Sequence, residues 1–271
     1  MFDFFQTLSP VLQALVAGCF TWAMTAVGAA VVFSVTTVNR RIMDFVLGFA
    51  SGVMIAVSFW GLLAPAVVLA GGDGVPKWLP AAAGFALGGV FLRVADRFLP
   101  HVHGGGCPAV DAEGVRAAWR RTTLLVTAMT LHNIPEGLAI GVAFGAAASG
   151  VPAATLPAAL VLALGIGIQN FPEGMAVSVP MRCEGQSRMK SWWYGQASAL
   201  VEPFGAVIGA AAVLVSRPLL PYALGFAAGA MIFVVIEELV PESQRAGHKD
   251  LVATGVLLGF VLMMVLDTAL A

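Results

Sequence analysis

Apolar residues run along this chain in blocks of about 20 positions or more, long enough to cross a hydrocarbon layer of roughly 30 Å as helices. The alternation of a membrane-spanning strand is missing from them. Breaking the chain at its clusters of glycine, proline and charge predicts eight spans, near residues 10–36, 44–70, 78–100, 119–147, 155–181, 187–215, 217–241 and 248–270. The expected fold class is an all-α membrane protein with eight transmembrane helices. It forms one domain over residues 1–271, because no connection is long enough to hide a soluble unit.

Two spans are interrupted alike. His132-Asn133-Ile134-Pro135-Glu136-Gly137 lies in the fourth and Gln169-Asn170-Phe171-Pro172-Glu173-Gly174 in the fifth, within apolar runs that hold no other formal charge. On a helix His132 and Glu136 stand at i and i+4, and Asn133 and Glu136 at i and i+3. Gln169, Asn170 and Glu173 repeat that geometry, so each string turns its polar groups to one face. An ionised carboxylate in hydrocarbon is costly unless a positive charge meets it, and neither string contains Lys or Arg. A bound cation is the partner the pattern asks for. Pro135 and Pro172 each delete a helical hydrogen bond, which frees the carbonyls of Leu131 and Ile168 for a cation or water.

Composition agrees with a lipid environment. Of 271 residues 59% are hydrophobic and 11% charged, against roughly 25% charged in soluble domains. A formal net charge of −1 argues against a nucleic-acid partner. Cys19, Cys107 and Cys183 are odd in number, lack metal-type CxxC spacing and read as packing residues. No basic stretch precedes the first apolar run, so that span is expected to stay uncleaved. Orientation follows from the connections. Those after spans 1, 3, 5 and 7 carry Arg40, Arg41, Arg116, Arg120, Arg121, Arg182, Arg188, Lys190, Arg245 and Lys249, while the other side carries Lys77 and Arg217. This bias predicts both termini outside. The longest connection, residues 101–118, begins His101-Val102-His103 and is expected to be a cytoplasmic loop.

A second echo links spans 2 and 7. Leu47-Gly48-Phe49-Ala50-Ser51-Gly52-Val53-Met54-Ile55 recurs as Leu224-Gly225-Phe226-Ala227-Ala228-Gly229-Ala230-Met231-Ile232, with seven of nine positions identical. The paired spans run in opposite directions, as do spans 4 and 5, so both repeats fit a pseudo-twofold axis in the membrane plane and a 3+2+3 inverted-repeat arrangement. The plainer alternative is a small-residue packing motif used twice.

Glu202, in Glu202-Pro203-Phe204-Gly205-Ala206 of span 6, is a third mid-span acid. Three such glutamates with one histidine and two asparagines point to a divalent-cation site, of zinc or iron type by the histidine and of harder type by the amides. At the inner face Asp44, Asp96, His101, His103, Glu237, Glu238 and Glu242 are candidates for an exit relay, or else solvated helix ends. Met54 and Met231 are core residues or thioether ligands for soft ions.

These residues carry a resemblance. HNIPEG, QNFPEG, EPFGA and Glu237-Glu238-Leu239-Val240-Pro241-Glu242, with a histidine-bearing loop between spans 3 and 4, resemble the ZIP (Zrt/Irt-like) divalent-metal transporters, in the bacterial branch typified by the Bordetella zinc transporter. The likeness covers all eight spans. It implies a metal held by Met54, His132, Glu136, Gln169 and Glu173, and a neighbouring second position formed by Asn133, Asn170 and Glu202 with Glu136 and Glu173 bridging. It also implies elevator movement of one helix bundle against another. Asn170 stands where close bacterial relatives have aspartate, and Glu237 where they have histidine.

The expected function is import of a divalent metal, Zn2+ first, across the cell inner membrane, with the metal as transported substrate and no cofactor. A broad-range Fe2+, Mn2+ or Cd2+ carrier is the alternative within transport. An intramembrane zinc metalloprotease is the enzymatic rival, but it would need HExxH, which neither string supplies. A receptor-like bundle with a structural ion is a third reading, disfavoured by the inverted repeats. The expected partners are the metal ion and the lipid bilayer; a homodimer is left open.

Overall fold

The structure is a computed structural model that describes residues 2–34, 39–70, 75–98, 115–150 and 154–270, with side chains from residue 5 onward except at 96–98 and 115–125. Among the described residues the chain is helical and has no strand. Helices satisfy their backbone groups internally, as a chain without access to water must. After a short lead helix, Phe2–Thr7, come α1 (Pro10–Ser34), α2 (Arg40–Leu69), α3 (Trp78–Phe98), α4 (Val115–Ala148), α5 (Leu156–Cys183), α6 (Arg188–Val215), α7 (Arg217–Gln244) and α8 (Lys249–Leu270). Seven of them, all but α4, are long and apolar enough to cross a membrane by their described residues. α4 has 34 residues and carries the His132–Gly137 string. Most of the expected loop 101–118 lies outside the described residues, and residues 115–118 open α4.

Local chemistry sets the helix ends. Ser9, Asn39, Thr155 and Ser187 accept a backbone N–H of the first turn of α1, α2, α5 and α6 with their side-chain oxygens. Gly185 follows α5 at φ +85°, a turn that a residue with a Cβ adopts reluctantly. Pro135 and Pro172 sit inside unbroken helices. Pro203 has a larger effect: α6 is interrupted by a turn at residues 198–200, just before Glu202. α2 and α7 each contain a π turn, Val57–Leu63 and Val235–Leu239. There the N–H of Ala64 bonds to the Phe59 carbonyl and that of Val240 to the Val235 carbonyl, each directly before a proline, Pro65 or Pro241. A proline has no N–H, and its ring crowds the preceding turn, so the turn widens.

Glycines dictate which helices touch. A Cβ at Gly52 of α2 would lie 2.0 Å from the Val256 carbonyl oxygen of α8, and one at Gly259 of α8 would lie 2.1 Å from that of Phe49. Gly88 and Gly229 do the same between α3 and α7, each 2.0 Å from a phenylalanine carbonyl oxygen, Phe226 and Phe85. Gly28 and Gly174 join α1 to α5, Gly18 brings α1 to α6, and Gly137, Gly141 and Gly209 join α4 to α6. Without a hydrophobic drive between helices in lipid, such backbone approach is the main source of association. The LGFA-G echo is therefore a packing motif in both copies, set against α8 in one and α3 in the other. The close pairs α1/α5, α4/α6, α2/α8 and α3/α7 map onto one another when 1 is exchanged with 6, 2 with 7, 3 with 8 and 4 with 5.

These approaches join α1, α4, α5 and α6 into one set and pair α2 with α8 and α3 with α7, and packing of α7 against the π turn and last turns of α2 brings the two pairs together as a second set. Among the described residues every glycine that meets a neighbouring helix's backbone closer than 3 Å does so within a set. At the boundary Gly61 of α2 meets the side chain of Leu162, and Gly165 of α5 meets those of Met263 and Val57.

Candidate metal centre

The two strings end in glycines with matching tasks. Gly137 lets α6 come so near that a Cβ there would stand 2.5 Å from the Glu202 carbonyl oxygen. Gly174 gives α1 the same freedom, 2.1 Å from the Thr25 carbonyl oxygen. Glu202 of α6 and Thr21 of α1 thereby reach the polar faces of α4 and α5.

All three glutamates are out of solvent: Glu136 is 1%, Glu173 2% and Glu202 0% exposed. Gln169 Nε2 donates to Glu136 Oε1 at 2.8 Å, tying α5 to α4. Asn170 Nδ2 donates to Glu202 Oε1 at 2.8 Å and Oε2 at 2.9 Å, and to the Thr21 carbonyl at 3.1 Å. The Thr21 hydroxyl donates to Glu202 Oε2. The remaining polar side-chain atoms of the strings, those of His132 apart, have no hydrogen-bond partner among the described residues: both oxygens of Glu173, Glu136 Oε2, Gln169 Oε1, Asn170 Oδ1 and both amide atoms of Asn133. Most of these are lone-pair oxygens, acceptors that a cation satisfies and that a further acceptor cannot. The ion pairs formed by arginines among the described residues lie elsewhere, on Asp44 and Glu242. No three His, Cys, Asp or Glu side chains converge on one point among the described residues. The converging set is instead carboxylates with amides.

His132 turns the other way. Its Nε2 lies 3.0 Å from Glu238 Oε1 in the π turn of α7, beside a cleft lined by Leu92, Leu131, Phe233, Val234 and Glu237. Met54 is fully buried on α2, in the apolar core.

The expected inner cluster divides. Glu237 and Glu238 share the cleft next to His132. Asp44, fully buried, is bound by Arg40 Nε at 2.7 Å and His248 Nδ1 at 2.9 Å. Glu242 pairs with Arg40 and Arg245, each at 3.1 Å. Asp44 and Glu242 thus staple the ends of α2, α7 and α8 rather than stand free as relay groups. His101 and His103 lie outside the described residues, as does the side chain of Asp96. Sequence reasoning missed His248 and Thr21. The first is one of four histidines in the chain. The second stands one turn before Thr25 in an apolar span, a weak sign of a polar face.

Comparison with known proteins identifies the family. The family model described as ZIP Zinc transporter matches residues 110–267. The chain is 42% identical to zinc transporter ZIP11 of Bos taurus, covering 97% of this chain and 98% of that protein. It is 39% identical to zinc transporter GufA of Myxococcus xanthus over 94% of this chain and 98% of the relative. To zinc transporter ZIPB of Bordetella bronchiseptica it is 38% identical, over 95% and 81%. These are transporters and not enzymes, which removes the metalloprotease reading. With apolar helices around paired polar strings and likeness over nearly its whole length, the chain belongs to the ZIP family of zinc transporters, multi-pass proteins of the membrane.

Proposed function

We propose that this chain carries Zn2+, in preference to Cd2+, Fe2+ or Mn2+, across the cell inner membrane into the cytoplasm, through a site between α4 and α5. The observation that carries the reading is the set of buried polar atoms without partners on Glu136, Gln169, Asn170 and Glu173. Glu136 and Glu173 supply charge and Gln169 a neutral oxygen, while His132 supplies a nitrogen on leaving Glu238 and Met54 arrives from α2. An inside-negative potential favours entry by about 2.3 kcal/mol per charge per 100 mV, hence roughly 4.6 for a divalent ion.

In this reading all eight long helices span the membrane as an inverted 3+2+3 repeat with both termini outside, which the exchange symmetry of the close pairs supports. Apart from Met54, the centre lies in the set α1, α4, α5 and α6. That set moves as a body along α2, α3, α7 and α8, because its glycine-mediated backbone contacts are internal while the boundary glycines meet side-chain ends, which can yield. The cleft holding Glu237 and Glu238 is the release path. His132, paired with Glu238, connects it to the centre.

The test is uptake of radiolabelled zinc by proteoliposomes holding the purified protein. Uptake that rises with an imposed inside-negative potential, and that excess cadmium, iron or manganese reduces less than excess zinc does, is expected. Uptake no greater than in empty vesicles would overturn the function.

A further inference from the structure

The Glu202 carboxylate is held on both oxygens by residues of two other helices. Thr21 of α1 donates its hydroxyl to Oε2, and the Asn170 amide of α5 forks to Oε1 at 2.8 Å and Oε2 at 2.9 Å. The second N–H of that amide goes to the Thr21 carbonyl at 3.1 Å, closing a triangle of three fully buried residues. A carboxylate has about four lone-pair directions, and three are committed here. Glu136 and Glu173 differ: one oxygen of the first and both of the second have no partner among the described residues. The three glutamates are therefore not equivalent.

We propose that Thr21 is a positioning residue which, together with Asn170, locks Glu202 in hydrogen bonds, so that Glu202 stands as a fixed counter-charge and the centre takes one metal ion instead of two. The inference rests on the reading of the α4–α5 centre as the metal site. Its basis is donor geometry, because an ion seeking Glu202 must displace a hydroxyl and an amide that are already in place. Thr21→Val leaves the charge of the centre unchanged and removes one donor. An account from charge alone therefore predicts no effect of it.

The experiment counts zinc bound per chain, by calorimetry and by elemental analysis of purified protein, with thermal unfolding as the check on folding. Wild type is expected to bind one ion. Thr21→Val should show an additional, weaker binding event that brings the total toward two at saturating zinc, while Thr21→Ser, which restores the donor, should bind one. Thr25→Val, one turn along the same helix, should also bind one. Folded Thr21→Val with wild-type stoichiometry, Thr21→Ser behaving as Thr21→Val, or two ions on wild type would each overturn the lock. A wild-type chain that binds no zinc would instead remove the centre itself. A second measurement does not depend on Thr21→Val folding. Zinc-induced infrared changes in carboxylate stretching should persist in Glu202→Gln and shrink in Glu136→Gln. Their loss in Glu202→Gln would show that Glu202 is a ligand and end the proposal.

Discussion

Movement of one helix set along the other can be stopped at a chosen point. An ideal Cβ at Gly61 of α2 lies 3.8 Å from the Leu162 Cβ of α5, within the roughly 3.5–4.5 Å that a disulfide spans. The pair sits on the boundary between the sets. If the sets slide by one helical turn, about 5.4 Å, a separation of 3.8 Å grows to roughly 6.6 Å by right-angle geometry, well past what a disulfide allows. The perturbation is Gly61→Cys with Leu162→Cys, with native Cys19, Cys107 and Cys183 changed to Ser. Gly61 has the Leu162 Cδ1 3.0 Å from its added Cβ, a contact that Leu162→Cys relieves. Shortening Leu162, which is 1% exposed, costs on the order of 2 kcal/mol, so the reduced double variant is the reference for folding and rate. Zinc uptake should be near wild type in reductant, stop on oxidation and return on reduction. The single variants Gly61→Cys and Leu162→Cys, in the same background, should transport equally in oxidant and reductant. Full uptake through oxidised 61/162 protein, with the disulfide verified by mass spectrometry, would refute the sliding boundary.

Glu136→Ala or Glu173→Ala should abolish both uptake and stabilisation by zinc in thermal unfolding, whereas Asp111→Ala should change neither; wild-type uptake by folded Glu136→Ala protein would sink the assignment. Asn170→Asp removes the forked donor to Glu202 and adds a charge, so that −4 meets the +4 of two ions where the native glutamates offer at most −3. Second-ion occupancy in calorimetry should rise, and release should slow. Glu238→Gln weakens the contact with His132 and should alter uptake by several-fold while the metal ranking stays intact, as should His101→Ala with His103→Ala. A reversed preference between zinc and cadmium in either would place selectivity on the wrong side of the protein.

Much of the architecture was legible because few physical terms govern it. Apolar length and the requirement for internal hydrogen bonding determine where helices lie, and the ends fall within a few residues of expectation, as in Arg217–Gln244 for the span expected near 217–241. The i, i+4 spacing of His132 and Glu136, repeated by Gln169 and Glu173, puts each string's polar groups on one helix face; in the structure Gln169 bonds Glu136 while His132 turns to Glu238. The glycines of the echo marked close packing without naming the partner helix. Tertiary structure alone decided the pairings. Gln169 with Glu136, Asn170 and Thr21 with Glu202, and His132 with Glu238 each depend on the rotation and offset of two helices to within about a bond length, and no local period encodes that. The same holds for Asp44, whose chain position fits a relay while its neighbours Arg40 and His248 make it a staple. A sequence states which groups must leave water. Only the packed helices determine which partner meets them there, because hydrogen bonds and ion contacts fade over a fraction of the distance by which one helix can be turned or shifted against another.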